Sequence, residues 1–146
     1  MNISRRGIDL VKHFEGCKLE AYPDPGTGGD PWTIGWGHTG AEVVAGLVWT
    51  QDEADAALLL DLAAFEECVE RYVEPEITQN QFDALVCFAY NVGCKALKDS
   101  TLMRLVNWAE FDKAREQFGR WNKSGGRVME GLTRRRAAEA ALFGET

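Results

Sequence analysis

The stretch HFEGCKLEAYPDPGTGGDPWTIGWGHTG, from His13 to Gly40, decides how the rest of the chain is read. A helical stripe of Ile8, Val11 and Phe14, with Leu10 beside them, runs into it over Ser4–Phe14. Gly16 is a natural stop for that helix, because glycine takes the left-handed turn that ends helices without strain. Leu19–Tyr22 and Thr33–Trp36 are short and carry β-branched and aromatic residues. Pro23, Pro25, Gly26, Gly28, Gly29 and Pro31 separate them. The pattern predicts a hairpin or small sheet with a long tip loop.

Outward from this stretch the periodicity becomes helical. Thr50-Gln-Asp-Glu53 reads as a capping box opening a long helix, with Ala54, Leu58, Leu62, Phe65, Val69 and Tyr72 stepping by fours and threes to near Val73. At about 1.5 Å per residue such a helix is on the order of 35 Å long, which suits a connector between two lobes. Thr78-Gln-Asn-Gln81 is a second capping box. The helix behind it, with Phe82, Leu85, Val86, Cys87, Phe88, Ala89 and Tyr90, is apolar nearly all round and is expected at the centre of a C-terminal lobe. Asn107-Trp-Ala-Glu110 is expected to cap a further helix, Lys123–Gly131 to form a loop, and Leu132–Phe143 a last helix. The expected plan is therefore α+β and mostly helical: an N-terminal lobe over about 1–50, a connecting helix over about 51–73, and a helical lobe over about 74–146.

With 45% hydrophobic and 10% aromatic residues in 146, the chain can bury a real core, which excludes a disordered linker. No run approaches eighteen consecutive apolar residues, and MNISRRGIDL has no apolar segment behind its arginines. A chain made and folded in a cytoplasm, without stable membrane association, is the expectation. The four cysteines, Cys17, Cys68, Cys87 and Cys94, match no zinc spacing and are expected to be free thiols used as small hydrophobes. The net charge of −7 is uneven. Residues 51–94 carry one basic and ten acidic side chains, whereas residues 95–146 carry eleven basic and seven acidic. Nucleic acid is a poor partner for such a chain, although its basic third could meet an anionic polymer.

The chemistry concentrates where the reading began. Glu15 falls in the last turn of its helix, where the dipole disfavours a negative charge by several tenths of a kcal/mol. An acid placed so that its charged form is disfavoured suits a general acid, and a solvated glutamate tolerating a poor position is the alternative. Asp24, between Pro23 and Pro25, has a stiffened backbone. It is either the second carboxylate of a glycoside-hydrolysing pair or an ordinary turn residue. Thr33 can bring a hydroxyl near both acids. His38 reads as a hydrogen-bonding strand residue. A metal site from Asp24, Asp30 and His38 lacks the alternating oxygen pattern of a calcium loop, and no phosphate-cradling motif is present. No metal or cofactor is expected.

FEGCKLEAYPD followed by WTIGWGHTG resembles the signature of the phage-type lysozymes, or endolysins (glycoside hydrolase family 24), whose pattern is EG-x-x-L-x-x-Y-x-D and then TIG-x-GHT. TQNQFDALVCFAYNVG, STLMRLVN and GLTRRRAAEAALF resemble the family's core helix, following short helix and closing helix, so the likeness covers nearly the whole chain. The resemblance implies a lysozyme-like, two-lobed fold with a saccharide groove between the lobes. It implies a muramidase that hydrolyses the β-1,4 bond between N-acetylmuramic acid and N-acetylglucosamine in peptidoglycan, with inversion. Glu15 would be the general acid, Asp24 would activate a water, and Thr33 would support that water. Thr39, Tyr90 and Thr101 would contact the saccharide. The partners implied are peptidoglycan glycan strands and a membrane-permeabilising, holin-type protein that releases the monomeric enzyme from the cytoplasm.

The GTGGDP segment makes the loop longer than in the shortest family members, leaving Asp24 or Asp30 to face Glu15. Two rivals remain: a lytic transglycosylase acting through one acid on the same bond, and a catalytically silent peptidoglycan-binding module. Arg135 and Glu139, one helical turn apart, are expected to form an exposed pair contributing about 0.3–0.5 kcal/mol.

Overall fold

A computed structural model describes residues 1–145. The class is α+β. Two compact units divide the chain: a sheet unit, Lys12–Ala64, and a helical unit made of Met1–Val11 together with Phe65–Thr146.

The sheet unit begins in the last turn of α1 (Arg5–Glu15) and includes β1 (Lys18–Tyr22), β2 (Thr33–Gly35) and β3 (His38–Thr39), ordered β1-β2-β3 and antiparallel. The segment Leu47–Trp49 runs along the free edge of β1. The Ala21 N–H donates to Leu47 O at 2.9 Å, and the Trp49 N–H donates to Leu19 O at 2.8 Å. Ala21, Ile34 and Val43 form this unit's buried core, with Trp32, Leu47 and Trp49 packed against it. Gly35 is required by close approach. A Cβ there would lie 3.0 Å from the Trp49 ring, and the residue's φ of +66° disfavours any side chain. The sheet unit also takes in the first fourteen residues of α2 (Gln51–Tyr72). The box that opens α2 is formed as expected: the Glu53 N–H donates to Thr50 Oγ1 at 3.1 Å, and the Thr50 N–H to Glu53 Oε1 at 2.9 Å.

The helical unit is built around α3 (Gln79–Val92), whose eight consecutive residues Phe82–Ala89 are all buried. Its Thr78–Gln81 capping box is complete. One of the eight is charged. Asp83 accepts from the Ser4 N–H at 3.0 Å, from the Ser4 hydroxyl, and from Gln79 Nε2 at 2.8 Å, which ties the start of α1 to α3. Around α3 lie α4 (Cys94–Asp99), α5 (Thr101–Asn107), α6 (Phe111–Gln117), a 3-10 turn (Phe118–Arg120), the ribbon β4 (Lys123–Ser124) and β5 (Arg127–Val128), and α7 (Glu130–Phe143). The expected loop over Lys123–Gly131 thus contains a short hairpin.

Three expectations fail here. Cys68 and Cys94 are a disulfide, joining α2 to the start of α4, so only Cys17 and Cys87 are free. Asn107 does not cap α6, whose cap residue is Glu110 without a side-chain bond. Its amide instead reaches back to the end of α2, donating to Tyr72 O at 2.9 Å and accepting from the Glu74 N–H at 2.9 Å. Arg135 and Glu139 are not exposed: they are 4% and 0% accessible, and Arg136 beside them is fully buried. Arg135 Nε donates to Glu139 Oε2 at 3.2 Å and its Nη2 to Cys87 O at 3.0 Å. Arg136 stacks over Phe88 at 4.8 Å, and its Nη2 donates to Asn91 Oδ1 at 2.8 Å. Arg136 Nε and Glu139 Oε1 approach at 2.8 Å as an ion pair without the alignment of a hydrogen bond. Burial pushes the Glu139 carboxyl up in pKa, against the pull of Arg136 and Arg135.

Candidate active site

Glu15 is the last residue of α1 and is half-buried. Gly16 follows with φ +69°, and its N–H closes the helix on Lys12 O at 3.1 Å. That left-handed residue turns the chain sharply from helix into β1, as expected of a glycine there.

β1 and β2 pair with Tyr22 directly opposite Thr33, and β2 and β3 pair with Thr33 directly opposite Thr39. Directly opposed residues share a face of a sheet, so Tyr22, Thr33 and Thr39 form one row of hydroxyls. The other face carries Ala21 and Ile34 into the core. The row is accessible: Tyr22 is 37% exposed, Thr33 half-buried and Thr39 exposed. Burial, and after it the negative charge of Glu15, hold the Tyr22 phenol above its ordinary pKa, with the Thr33 hydroxyl pulling the other way. Glu15, Tyr22 and Thr33 are therefore electrostatic neighbours.

Asp24 is both a turn residue and a held carboxylate. Its Oδ2 accepts from the Gly26 N–H at 3.0 Å and the Thr27 N–H at 3.2 Å. Its backbone N–H donates to Gly29 O at 2.9 Å and its carbonyl accepts from the Gly28 N–H at 2.8 Å. No hydrogen bond to Asp24 Oδ1 occurs among the described residues. Asp30 differs. Its carbonyl accepts from Thr27 Oγ1 at 2.7 Å, which stitches the loop, and its side chain is exposed. The GTGGDP segment is thus a turn closed upon Asp24.

Two polar clusters brace the same unit, and neither was expected in this detail. His38 has Asp61 on Nδ1 and Glu42 on Nε2, both at 2.6 Å, and its ring lies 5.4 Å from Trp49. Burial opposes protonation of His38, but the hydrogen bonds its ring N–H groups donate to the Glu42 and Asp61 carboxylates outweigh it, and its pKa lies above the usual histidine value. The hydrogen bond from His38 in turn holds Glu42 below the usual carboxylate range. Asp55 accepts from Trp36 Nε1 at 2.8 Å and Gln51 Nε2 at 3.1 Å, with Lys12 Nζ at 3.5 Å; these bonds lower its pKa. His38 as a hydrogen-bonding residue was legible from Gly-x-Gly-His in a strand; its partners, on a loop and a distant helix, were not.

Tyr90 and Thr101 belong to the helical unit. Tyr90 is half-buried near the end of α3, edge-on to Phe65 at 5.5 Å, and Thr101 is exposed at the first position of α5. Tyr22, which the sequence places at a strand end and within the signature, was not read there as part of a hydroxyl row. Strand alternation carried the signal, because it sets Tyr22 on the face opposite Ala21.

Residues 12–139 match the family model described as phage lysozyme. The chain is similar to an endolysin of Bacillus phage B103, 46% identical over 98% of this chain and 54% of that protein. It is also similar to an endolysin of Salmonella phage P22, 37% identical over 98% of both. The chain spans between about half and three fifths of the length of the curated relatives it matches at 41–47% identity. Among solved structures it superposes on the muramidase domain of SpmX from Asticaccaulis excentricus with a TM-score of 0.91, at 39% identity over 99% of each chain. By sequence over most of its length, and by fold, the chain belongs to the phage lysozyme family.

Proposed function

We propose that the chain is an endolysin-type muramidase that hydrolyses the β-1,4 bond between N-acetylmuramic acid and N-acetylglucosamine in peptidoglycan. The observation that carries the proposal is the Tyr22–Thr33–Thr39 row, with Glu15 beside it and Asp24 fixed by its turn two residues beyond Tyr22. Glu15 gives its proton to the glycosidic oxygen as the bond to C1 breaks. Asp24 Oδ1 takes a proton from a water whose oxygen forms the new bond to C1, and Thr33 Oγ1 holds that water. Asp24 is preferred to Asp30 for this step because its carboxylate is anchored on one oxygen and open on the other. The products are a reducing N-acetylmuramic acid end and a free 4-hydroxyl on the neighbouring sugar. Saccharide contacts at Thr39, Tyr90 and Thr101, action as a monomer, accumulation in a host cytoplasm and dependence on a holin-type protein belong to the same reading. No helix among the described residues is long and apolar enough to cross a membrane.

Mass spectrometry of digested peptidoglycan tests the reaction. Products carrying the added water support hydrolysis. Products one water lighter, ending in an anhydro sugar, identify a transglycosylase, and binding without any cleavage identifies a silent module.

A further inference from the structure

We propose that the β4–β5 hairpin is a docking element for the carboxylates of peptidoglycan stem peptides, which Arg120, Lys123 and Arg127 hold. The proposal deepens the muramidase reading and rests on it for the polymer concerned.

Antiparallel strands commonly give one face to a core and the other to water. This ribbon, joined by Gly125-Gly126, gives both to water, and every residue from Lys123 to Gly131 is exposed. Lys123 stands opposite Val128 and Ser124 opposite Arg127, so each face carries one cation. The base is fixed. Trp121 packs edge-on to Phe88 at 5.4 Å, the Met129 N–H donates to Asn122 O at 2.8 Å, and Asn122 Nδ2 donates to Thr133 Oγ1 at 3.1 Å. The hairpin is thus a held projection of the helical unit that adds nothing to its core.

Its charge is as distinctive as its exposure. From Arg120 to Arg134 four cations meet a single acid, Glu130, which lies 3.7 Å from Arg134. Among the described residues no ion pair reaches Arg120, Lys123 or Arg127. Lys95 and Lys113 of the same unit, by contrast, are paired with Asp99 and Glu110 at 3.1 and 3.9 Å. In a chain of net charge −7, these unpaired cations make the hairpin the place where an anionic polymer can approach. Val128 and Met129, which follow Arg127, are 62% and 46% exposed. A stem peptide presents carboxylates and alanine methyls together, so it suits this mixture of cations and apolar groups. A polyol phosphate of the wall offers charge alone.

The test is co-sedimentation of the full chain, on ice and in the Glu15→Gln background, with sacculi that carry teichoic acid. The double variant Lys123→Gln/Arg127→Gln is compared with Lys95→Gln/Lys113→Gln, which removes the same charge from exposed, already paired sites. The hairpin variant is expected to bind about tenfold more weakly, the effect of losing two solvent-exposed charge contacts, and the control to change by less than about twofold. Thermal unfolding is run alongside, and a single hairpin substitution, with an expected loss of about threefold, replaces the pair if the pair lowers the midpoint. Capping the sacculus carboxylates as methylamides should abolish the difference between the hairpin variant and its parent, whereas stripping the phosphate polymers with hydrofluoric acid should leave it. No loss in the hairpin variant, an equal loss in the control, or a difference that survives capping or is lost with the phosphate polymers overturns the proposal. Binding through the hairpin by an unsubstituted chain that cleaves nothing would instead sink the muramidase reading and leave the docking element standing.

Discussion

The Arg135–Arg136–Glu139 cluster and the Tyr22–Thr33–Thr39 row are both short-range polar arrangements, yet they differ in burial. The first is sealed, with side-chain exposures of 5%, 0% and 0%. The second reaches solvent along its length. Buried ions are costly unless paired, so the first arrangement binds the helical unit together and resists change. Exposed hydroxyls on a sheet contribute little to folding and remain available to a ligand. On the proposed reading the acid pair and the sealed cluster lie in different units, and substitutions in each should have different signatures.

The largest expected effect breaks the sealed cluster. Glu139→Ala leaves two buried guanidiniums without their carboxylate and should cost about 3–5 kcal/mol in denaturant unfolding. A loss under about 1 kcal/mol, the size of an exposed pair, would erase the contrast. Next comes the disulfide. It closes 26 residues of chain, and Cys68→Ser under oxidising conditions should cost about 3–4 kcal/mol. Reductant should remove the same amount from the unsubstituted chain, and no effect of reductant would show the bridge does not form in solution. In the sheet unit, Asp24→Asn should lower turnover about a hundredfold, roughly 2.7 kcal/mol on the barrier, with the unfolding midpoint held. Asp30→Asn should change turnover little, and the opposite ranking would mean that the loop presents the other acid.

The smallest effect concerns His38. Its folded pKa is raised, so its stabilising contribution is full below the ordinary histidine value of 6.5 and is lost as pH rises through the folded value. Glu42 is depressed, so its contribution is present above the ordinary 4.5 and lost as pH falls. The stability difference between the unsubstituted chain and His38→Asn should therefore be greatest between about pH 4.5 and 6.5 and shrink above it. A difference that grows toward pH 9 contradicts this.

The local signals in the sequence were faithful. Thr50–Glu53 and Thr78–Gln81 formed the boxes their spacing predicts, and Gly16 turned the chain where a glycine should. What failed was long-range or directional. Asn107 has the spacing of a cap, but its amide found the end of α2 instead, because a backbone carbonyl and N–H were waiting there. Cys68 and Cys94 are brought together only by the packing of α2 and α4, which no spacing encodes. Arg135 and Glu139 have the i,i+4 spacing of a surface pair, and that spacing does not say which side of a helix is covered. In the candidate site, Glu15, Asp24 and Thr33 could be proposed from the sequence because they sit in one contiguous stretch. The place of Tyr22 opposite Thr33 was not read there, because it appears once the strand register is known.

The most direct test of the proposed chemistry is Glu15→Gln assayed on purified peptidoglycan, with its thermal unfolding measured beside the unsubstituted chain. Loss of clearing with an unchanged unfolding midpoint is the predicted result. Clearing at the original rate by a folded Glu15→Gln protein would contradict the assignment of the general acid and the mechanism built on it.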